Sequence, residues 1–312
     1  MFTWLNLNFE LTQFIGAIAV VALGLLLFLF WNRPFKKRPK PLLESEDLYI
    51  RLNDGFKIRY RISGNGPPLL LIHGIGANIF TWKWMQPLLL DDFKVLTIDL
   101  PGFGKSSKII DAQYDLDAQT NRLIEFCHLL NLKSIFLVGS SMGGAIALNM
   151  ARLKPNIFPK VVTLCPASHR SLLPFDPKYF ALTKNALART INKRLMRTIC
   201  LRVVHNQKLV DEDYINQYLQ FYKDQPNSIQ TFIKSTKAIL DPRLPELFSD
   251  VKTPTLTIWG AHDTIVNQKT IQHLHKVLPK DILVIDNESG HHPMEDNPAW
   301  ISDQIVSFFL ES

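Results

Sequence analysis

The chain has to turn sharply at residue 141. Ile135 to Val138 is an apolar run with the character of a buried strand, and from Met142 onward small and apolar residues recur at helical spacing. Between them, Gly139-Ser140-Ser141-Met142-Gly143 matches the G-x-S-x-G pattern, in which flanking glycines let strand, turn and helix crowd together and hold the central serine strained and exposed. Glycine and serine also crowd ordinary strand-to-helix loops, so the meaning of the pentapeptide depends on what the rest of the chain supplies.

Strand signals precede it. Tyr49 to Ile62 alternates apolar and polar residues around Asn53-Asp54-Gly55, a turn whose last residues tolerate positive φ, and this predicts an antiparallel edge. Leu69 to Ile72 is continuously apolar, as strands buried on both faces of a parallel sheet are, and runs straight into His73-Gly74-Ile75-Gly76. Lys94 to Leu100 is the next strand and ends in Asp99-Leu100-Pro101-Gly102-Phe103-Gly104-Lys105-Ser106. That segment lacks the G-x-x-x-x-G-K-[ST] spacing and opens no helix at Ser106, so it reads as a structural loop rather than a phosphate cradle. Asp115 to Leu130 is amphipathic, with Leu116, Leu123, Phe126, Cys127 and Leu130 on one broad face.

Beyond the pentapeptide, Val161 to Leu164, Thr255 to Trp259 and Leu283 to Ile285 read as strands, and Trp300 to Leu310 as a closing helix. From Pro166 to about Lys252 the pattern is helical instead, near Lys178 to Val204, Asp211 to Lys223 and Ser228 to Ile239. Between Lys178 and Lys208 there are eight Lys or Arg residues and no Asp or Glu, interleaved with Leu182, Leu187, Ile191, Leu195, Met196, Ile199 and Leu201. An interfacial helix has this composition, and so does a core-facing helix with a solvated basic side.

The amino terminus carries a separate signal. Phe14 to Trp31 is an uncharged stretch of 18 residues, ~27 Å long as a helix, about the hydrocarbon thickness of a bilayer. No Lys or Arg precedes it and no small-residue cleavage site follows it, which favours an uncleaved anchor over a signal peptide. Arg33, Lys36, Lys37, Arg38 and Lys40 follow directly, so the remaining chain is expected on the cytoplasmic side. The expected organisation is an N-terminal segment over 1–13, a transmembrane anchor over 14–31 and a basic, proline-containing linker over 32–44. The net charge of +7 is spread along the chain, which fits anionic lipid more simply than nucleic acid. Three cysteines, Cys127, Cys165 and Cys200, lack metal-type spacing and form no disulfide framework. A reducing compartment and a periplasm used without disulfides both fit. Nothing in the sequence speaks to oligomeric state.

The ordered set His73-Gly74, Asp99-Leu100-Pro101-Gly102-Phe103-Gly104-Lys105-Ser106 and Gly139-Ser140-Ser141-Met142-Gly143-Gly144 resembles the α/β-hydrolase fold superfamily, from about residue 45 to the end. The resemblance implies a mostly parallel eight-stranded sheet with helices on both faces, a core over 45–165 and 253–312, and a helical lid over 166–252. It also implies a triad in the order serine, acid, histidine. Ser141, central in the pentapeptide, is the expected nucleophile, with Ser140 as turn structure. The backbone N–H groups of Ile75 and Met142 are the expected oxyanion donors. Asp263 stands just after the strand ending at Trp259, where the family commonly carries its acid. Ser289-Gly290-His291-His292-Pro293-Met294-Glu295-Asp296-Asn297-Pro298 closely matches the family's G-H-x-P-x-x-E-x-P loop, making His291 the expected base and Glu295 a residue that holds the loop. His73 is expected to stabilise its turn rather than act chemically.

Anchor, lid and serine turn together resemble monoacylglycerol-lipase-type members. The expectation is therefore a membrane-anchored serine carboxylic-ester hydrolase, working through an acyl-enzyme on monoacylglycerol or a related lipid ester, without cofactor or metal and without nucleic acid as partner. A C–C bond hydrolase or thioesterase could use the same triad, and a non-catalytic binding protein on this fold is a further alternative. Asn287-Glu288-Ser289 is formally a glycosylation sequon, read as chance because a glycan there would crowd His291.

Overall fold

In the computed structural model the described residues are 46–169, 191–223 and 227–310. The expected anchor (14–31), the basic linker (32–44) and the 178–190 part of the basic stretch lie outside them. Among the described residues, no helix is long and apolar enough to cross a membrane.

Eight strands form one sheet: β1 (Leu48–Arg51), β2 (Lys57–Ser63), β3 (Pro68–Ile72), β4 (Lys94–Ile98), β5 (Phe136–Ser140), β6 (Val161–Leu164), β7 (Thr255–Gly260) and β8 (Asp281–Asp286), in the order β1-β2-β4-β3-β5-β6-β7-β8. The β1–β2 and β2–β4 pairs are antiparallel and every later pair is parallel. Alternation along β3 sorts its side chains between two cores. Leu70 and Ile72 pack with Leu123 and Phe126 of α1 (Leu116–Leu129) and with Ala145 and Ile146 of α2 (Met142–Leu153). Leu69 and Leu71 pack on the other face, with Trp82 of a short 3-10 turn (Ile79–Trp82) and with Ile301, Ile305 and Phe309 of the carboxy-terminal helix Pro298–Leu310. All four leucine and isoleucine side chains are inaccessible to solvent, and burying each is worth ~1.5–3 kcal/mol. Asp115 starts α1 by accepting the Ala118 N–H at 2.9 Å.

Between β6 and β7 the described chain is helical: α3 (Lys193–Val203), α4 (Glu212–Lys223), α5 (Ser228–Ile239) and α6 (Leu244–Ser249). Of the two uses open to the basic stretch, α3 shows an inward apolar face. Met196 and Cys200, one turn apart, are buried against Tyr214, Ile215, Tyr218 and Leu219 of α4, while Lys193, Arg194, Arg197 and Arg202 remain exposed with Ile199. After β7 come α7 (Gln268–Val277), α8 (Pro293–Asp296) and α9 (Pro298–Leu310).

The order of the strands fixes where a site can form. Growth of the sheet reverses at β3, with β4 added on one side and β5 on the other. The loops after β3 and β5 therefore flank a crevice at the carboxyl ends of the strands.

Candidate active site

Ser141 sits in that crevice, directly after β5, with φ +52° and ψ −116°. This region is costly for any side chain and survives only where the surroundings enforce it. They do so here through the backbone. The Ser141 N–H donates to Leu164 O at 3.0 Å, and Ser141 O accepts from Gly144, Ala145 and Ala167 N–H at 3.0–3.2 Å. The glycines permit the approach of the helix: a Cβ on Gly143 would lie 2.2 Å from Ile72 O, and one on Gly139 2.2 Å from Gly143 O. Ser140, the neighbouring hydroxyl, is wholly buried in β5.

The loop after β3 is pressed against Ser141, since a Cβ on Gly74 would meet Ser141 Cβ at 3.0 Å. Ala77 N–H donates to Gly74 O at 3.3 Å and Gly76 has φ +75°, the signature of a turn that needs glycine at its third position. Ile75 is the second residue of that turn, and Met142 is the first of α2, where amide N–H groups lack helical partners. Among the described residues, neither N–H is engaged by another protein group. Both are therefore available to a developing oxyanion, with the amino-terminal end of the α2 dipole adding to the field.

The acid and base expected from the sequence meet on the neighbouring strand ends. Asp263 Oδ2 accepts from His291 Nδ1 at 2.8 Å, with the acid's side chain fully buried and the histidine's 4% exposed. Asp263 Oδ1 takes the Ile265 and Val266 N–H groups at 2.7 and 2.9 Å. Burial alone would raise the carboxyl's pKa, but the charge and hydrogen bond of His291 and the two amide bonds outweigh it and hold Asp263 below the usual range. With Nδ1 protonated and donating, Nε2 is the basic nitrogen, as a general base toward a hydroxyl requires.

Cys165, which the sequence did not single out for this place, follows β6 with φ +46° and lies beneath the pair. Its Sγ, an Asp263 oxygen and a His291 ring nitrogen lie within 4.8 Å of one another. Such a trio could close on a metal ion, yet Asp263 and His291 are spent on each other, and burial with the Asp263 charge pushes the thiol well above its ordinary pKa. The thiol accepts the Gly260 N–H at 3.4 Å and reaches Gly290 O at 3.7 Å, joining the end of β7 to the histidine loop. A cavity of about 400 Å³ opens beside Asp263, lined by Arg202, His205, His262 and Thr264, with neither Ser141 nor His291 in its wall.

Two buried groups hold the Gly74 loop in place. His73 Nε2 accepts the Leu100 N–H at 2.9 Å while its Nδ1 contacts Gly74 O at 2.7 Å, so the ring is the neutral Nδ1–H tautomer. Burial pushes its pKa down. A lowered pKa gives stability that is complete above the unfolded value of about 6.5 and decreases as pH falls below it. Thermal denaturation is expected to show a falling Tm from pH 7 to pH 5, and His73→Gln, less stable at pH 7, to show a smaller fall.

Asp99, at the end of β4, accepts Ile79 N–H and Lys105 N–H at 2.8 Å each and pairs with Arg59 at 3.0 Å. Arg59 is 2% exposed and Asp99 wholly buried. Asp99→Ala leaves the guanidinium buried with Asp47 as its remaining ion-pair partner and strips acceptors from two loops. Urea denaturation is expected to register a loss of about 3–5 kcal/mol.

Comparison with known proteins agrees with this architecture. A family model described as "alpha/beta hydrolase fold" matches residues 67–298. An uncharacterized hydrolase of Bacillus subtilis, YugF, is 32% identical over 82% of this chain and 95% of its own length. Lipase 1 of Psychrobacter immobilis is 29% identical, covering 87% and 86% respectively. Among solved structures, a membrane phospholipase A superposes with a TM-score of 0.71 at 24% identity, over 98% of this chain and 96% of that one. The chain belongs to the α/β-hydrolase fold family, and is a hydrolase with a lipase among its relatives.

Proposed function

We propose that the protein is a membrane-anchored serine esterase that cleaves lipid esters through an acyl-enzyme. Ser141 Oγ attacks the ester carbonyl while His291 Nε2 takes its proton. Asp263 holds the His291 Nδ1–H and stabilises the imidazolium, and the Ile75 and Met142 N–H groups bind the oxyanion. The alcohol leaves with the proton from His291, after which water, activated by the same nitrogen, releases the acid. The observation that carries this reading is a conjunction: a serine held at φ +52° against Gly74, and a buried Asp263–His291 pair on the adjoining strand ends.

The lipid part rests on other features. Lipase 1, named for that activity, is a relative over most of the chain. The 14–31 stretch has the length and composition of an anchor, and its basic flank puts the domain on the cytoplasmic side. The exposed cations of α3, with Ile199 among them at 47% exposure, suit a second contact with anionic headgroups. The helices between β6 and β7 would then act as the lid, supplying apolar surface for an acyl chain.

The test is hydrolysis of glyceryl and p-nitrophenyl esters of increasing acyl length by the full chain, with and without anionic vesicles, beside labelling by a fluorophosphonate. The expected result is labelling, a preference for longer acyl chains and stimulation by vesicles. Activity confined to short soluble esters and indifferent to vesicles would overturn the lipid reading alone. Faster turnover of a vinylogous diketone or an acyl-CoA would replace it with C–C or thioester cleavage, and an ordered protein that never labels would remove the serine mechanism.

A further inference from the structure

The loop bearing Gly74–Ala77 and the loop bearing His291 come from distant parts of the sequence, yet both are fastened to one face of α4. Tyr214, Tyr218 and Tyr222 recur every fourth residue and so stand in a row along that helix. At one end, Tyr214 donates to Glu295 Oε2 at 2.7 Å and Tyr218 to the same oxygen at 3.2 Å. At the other, Tyr222 donates to Gly76 O at 3.2 Å, and its hydroxyl is so close that a Cβ on Gly76 would meet it at 2.6 Å.

Glu295 is fully buried and also binds His292 Nδ1 at 2.7 Å. Burial would neutralise it, but the hydrogen bond and charge of His292, the charge of Lys83 and the Tyr214 hydroxyl keep its pKa below the ordinary range. Lys83, which follows the 3-10 turn after the Gly74 loop, reaches Gln217 of α4 at 2.9 Å and lies 4.8 Å from the Tyr214 ring. The chain just before α4 is tied to the same histidine loop. His292 N–H donates to Val203 O at 2.9 Å, and the Asp296 carboxylate accepts the His205 and Asn206 N–H groups at 2.9 Å each. Apolar side chains would fill this space at less desolvation cost, whereas a buried carboxylate with directed partners fixes geometry.

We propose that α4 is a strap that sets the spacing between base and oxyanion donor: Tyr222 positions the Gly74–Ala77 turn, while Tyr214, Tyr218 and Glu295 position the His291 loop. The proposal rests on the serine-esterase reading above. Removing the Tyr222 hydroxyl frees the Gly76 carbonyl and lets the Ile75 N–H drift from the oxyanion, a loss felt in the transition state more than in substrate binding. Losing an oxyanion donor outright costs ~10²–10³ in kcat, so displacing one should cost about tenfold.

Steady-state kinetics of the full chain on a p-nitrophenyl ester test it. Tyr222→Phe and the double variant Tyr214→Phe/Tyr218→Phe are each expected to lower kcat about tenfold with KM within about twofold. The triple variant should lose less than the product of the two, because one cut already slackens a shared strap. Ile215→Val, which thins the packing of the same helix, should lower Tm and leave kcat unchanged. Losses in kcat that follow Tm across all four variants, or that multiply in the triple variant, would overturn the strap. Amide exchange at Ala77 and Gly290 separates this failure from that of the esterase reading. If the wild type neither labels nor turns over esters, faster exchange at both amides when Tyr222 alone is changed still supports the strap, and exchange altered at Ala77 alone or at neither overturns it.

Discussion

Ser141→Ala is expected to lower kcat for ester hydrolysis by ~10⁵–10⁶-fold and to abolish fluorophosphonate labelling, with Tm close to that of the wild type. The size follows from how little can replace the hydroxyl. Ser140 is wholly buried in β5, one residue too early to reach the turn. Cys165 is near the acid–base pair, but it is fully buried and its thiol is held protonated by burial and the Asp263 charge. The fold should tolerate the change because the contacts that define the turn are made by the Ser141 N–H and C=O groups and not by its Oγ. Kinetics and labelling on the purified variant check it, with near-UV circular dichroism as the measure of native packing. A variant that keeps a hundredth of the wild-type rate would move the nucleophile elsewhere.

Asp263→Asn is expected to lower kcat by about 10⁴-fold while leaving KM nearly unchanged. The reason is the division of labour between the two carboxylate oxygens. Oδ1 accepts two amide N–H groups, from Ile265 and Val266, so an asparagine at 263 must keep its oxygen there and turn its NH₂ toward His291. Two donors cannot share that bond. The imidazole then moves its proton to Nε2, the nitrogen that should receive the serine proton, and the positive charge formed in the transition state loses its anionic partner. A second consequence bears on pH. Asp263 has a lowered pKa, so it contributes stability that is present above the unfolded carboxylate value of about 3.9 and is lost as pH falls through the native one. The wild type should therefore lose more Tm between pH 5 and pH 3 than the asparagine variant.

The sheet was legible where its strands are buried. Leu69 to Ile72 and Val161 to Leu164 are continuous apolar runs because helices cover both faces, and each emerges as a strand within a residue of its expected bounds. At the margins the signal thins. The last strand reads from sequence as Leu283 to Ile285 but runs Asp281–Asp286, because at the sheet edge Ile282 and Ile285 are exposed and hydrogen bonding to β7, not burial, holds its ends. Gln268–Val277 gave no helical expectation, since only Thr270, Ile271 and Leu274 of its residues are buried. Ser141, Asp263 and His291 could each be named because glycines and strand ends mark the carboxyl edge of a parallel sheet. The position of Cys165 beneath the pair and the three tyrosine tethers could not, because they depend on which way a strand end and a helix face point. The four-residue spacing of Tyr214, Tyr218 and Tyr222 was nonetheless visible, and a row of hydroxyls on an otherwise apolar helix face is a signal of buried acceptors opposite.

The backbone at Ser141 has a consequence for heat resistance. A residue at φ +52° and ψ −116° costs ~1–3 kcal/mol for any side chain, a penalty that glycine avoids. Ser141→Gly should therefore melt several degrees above the wild type while being inert, whereas Ser141→Ala keeps the penalty and gains little. The point of highest torsional energy in the described chain is thus the one that does the chemistry. Selection of this protein for survival at high temperature, without a parallel demand for turnover, would be drawn toward glycine at the one position that must refuse it.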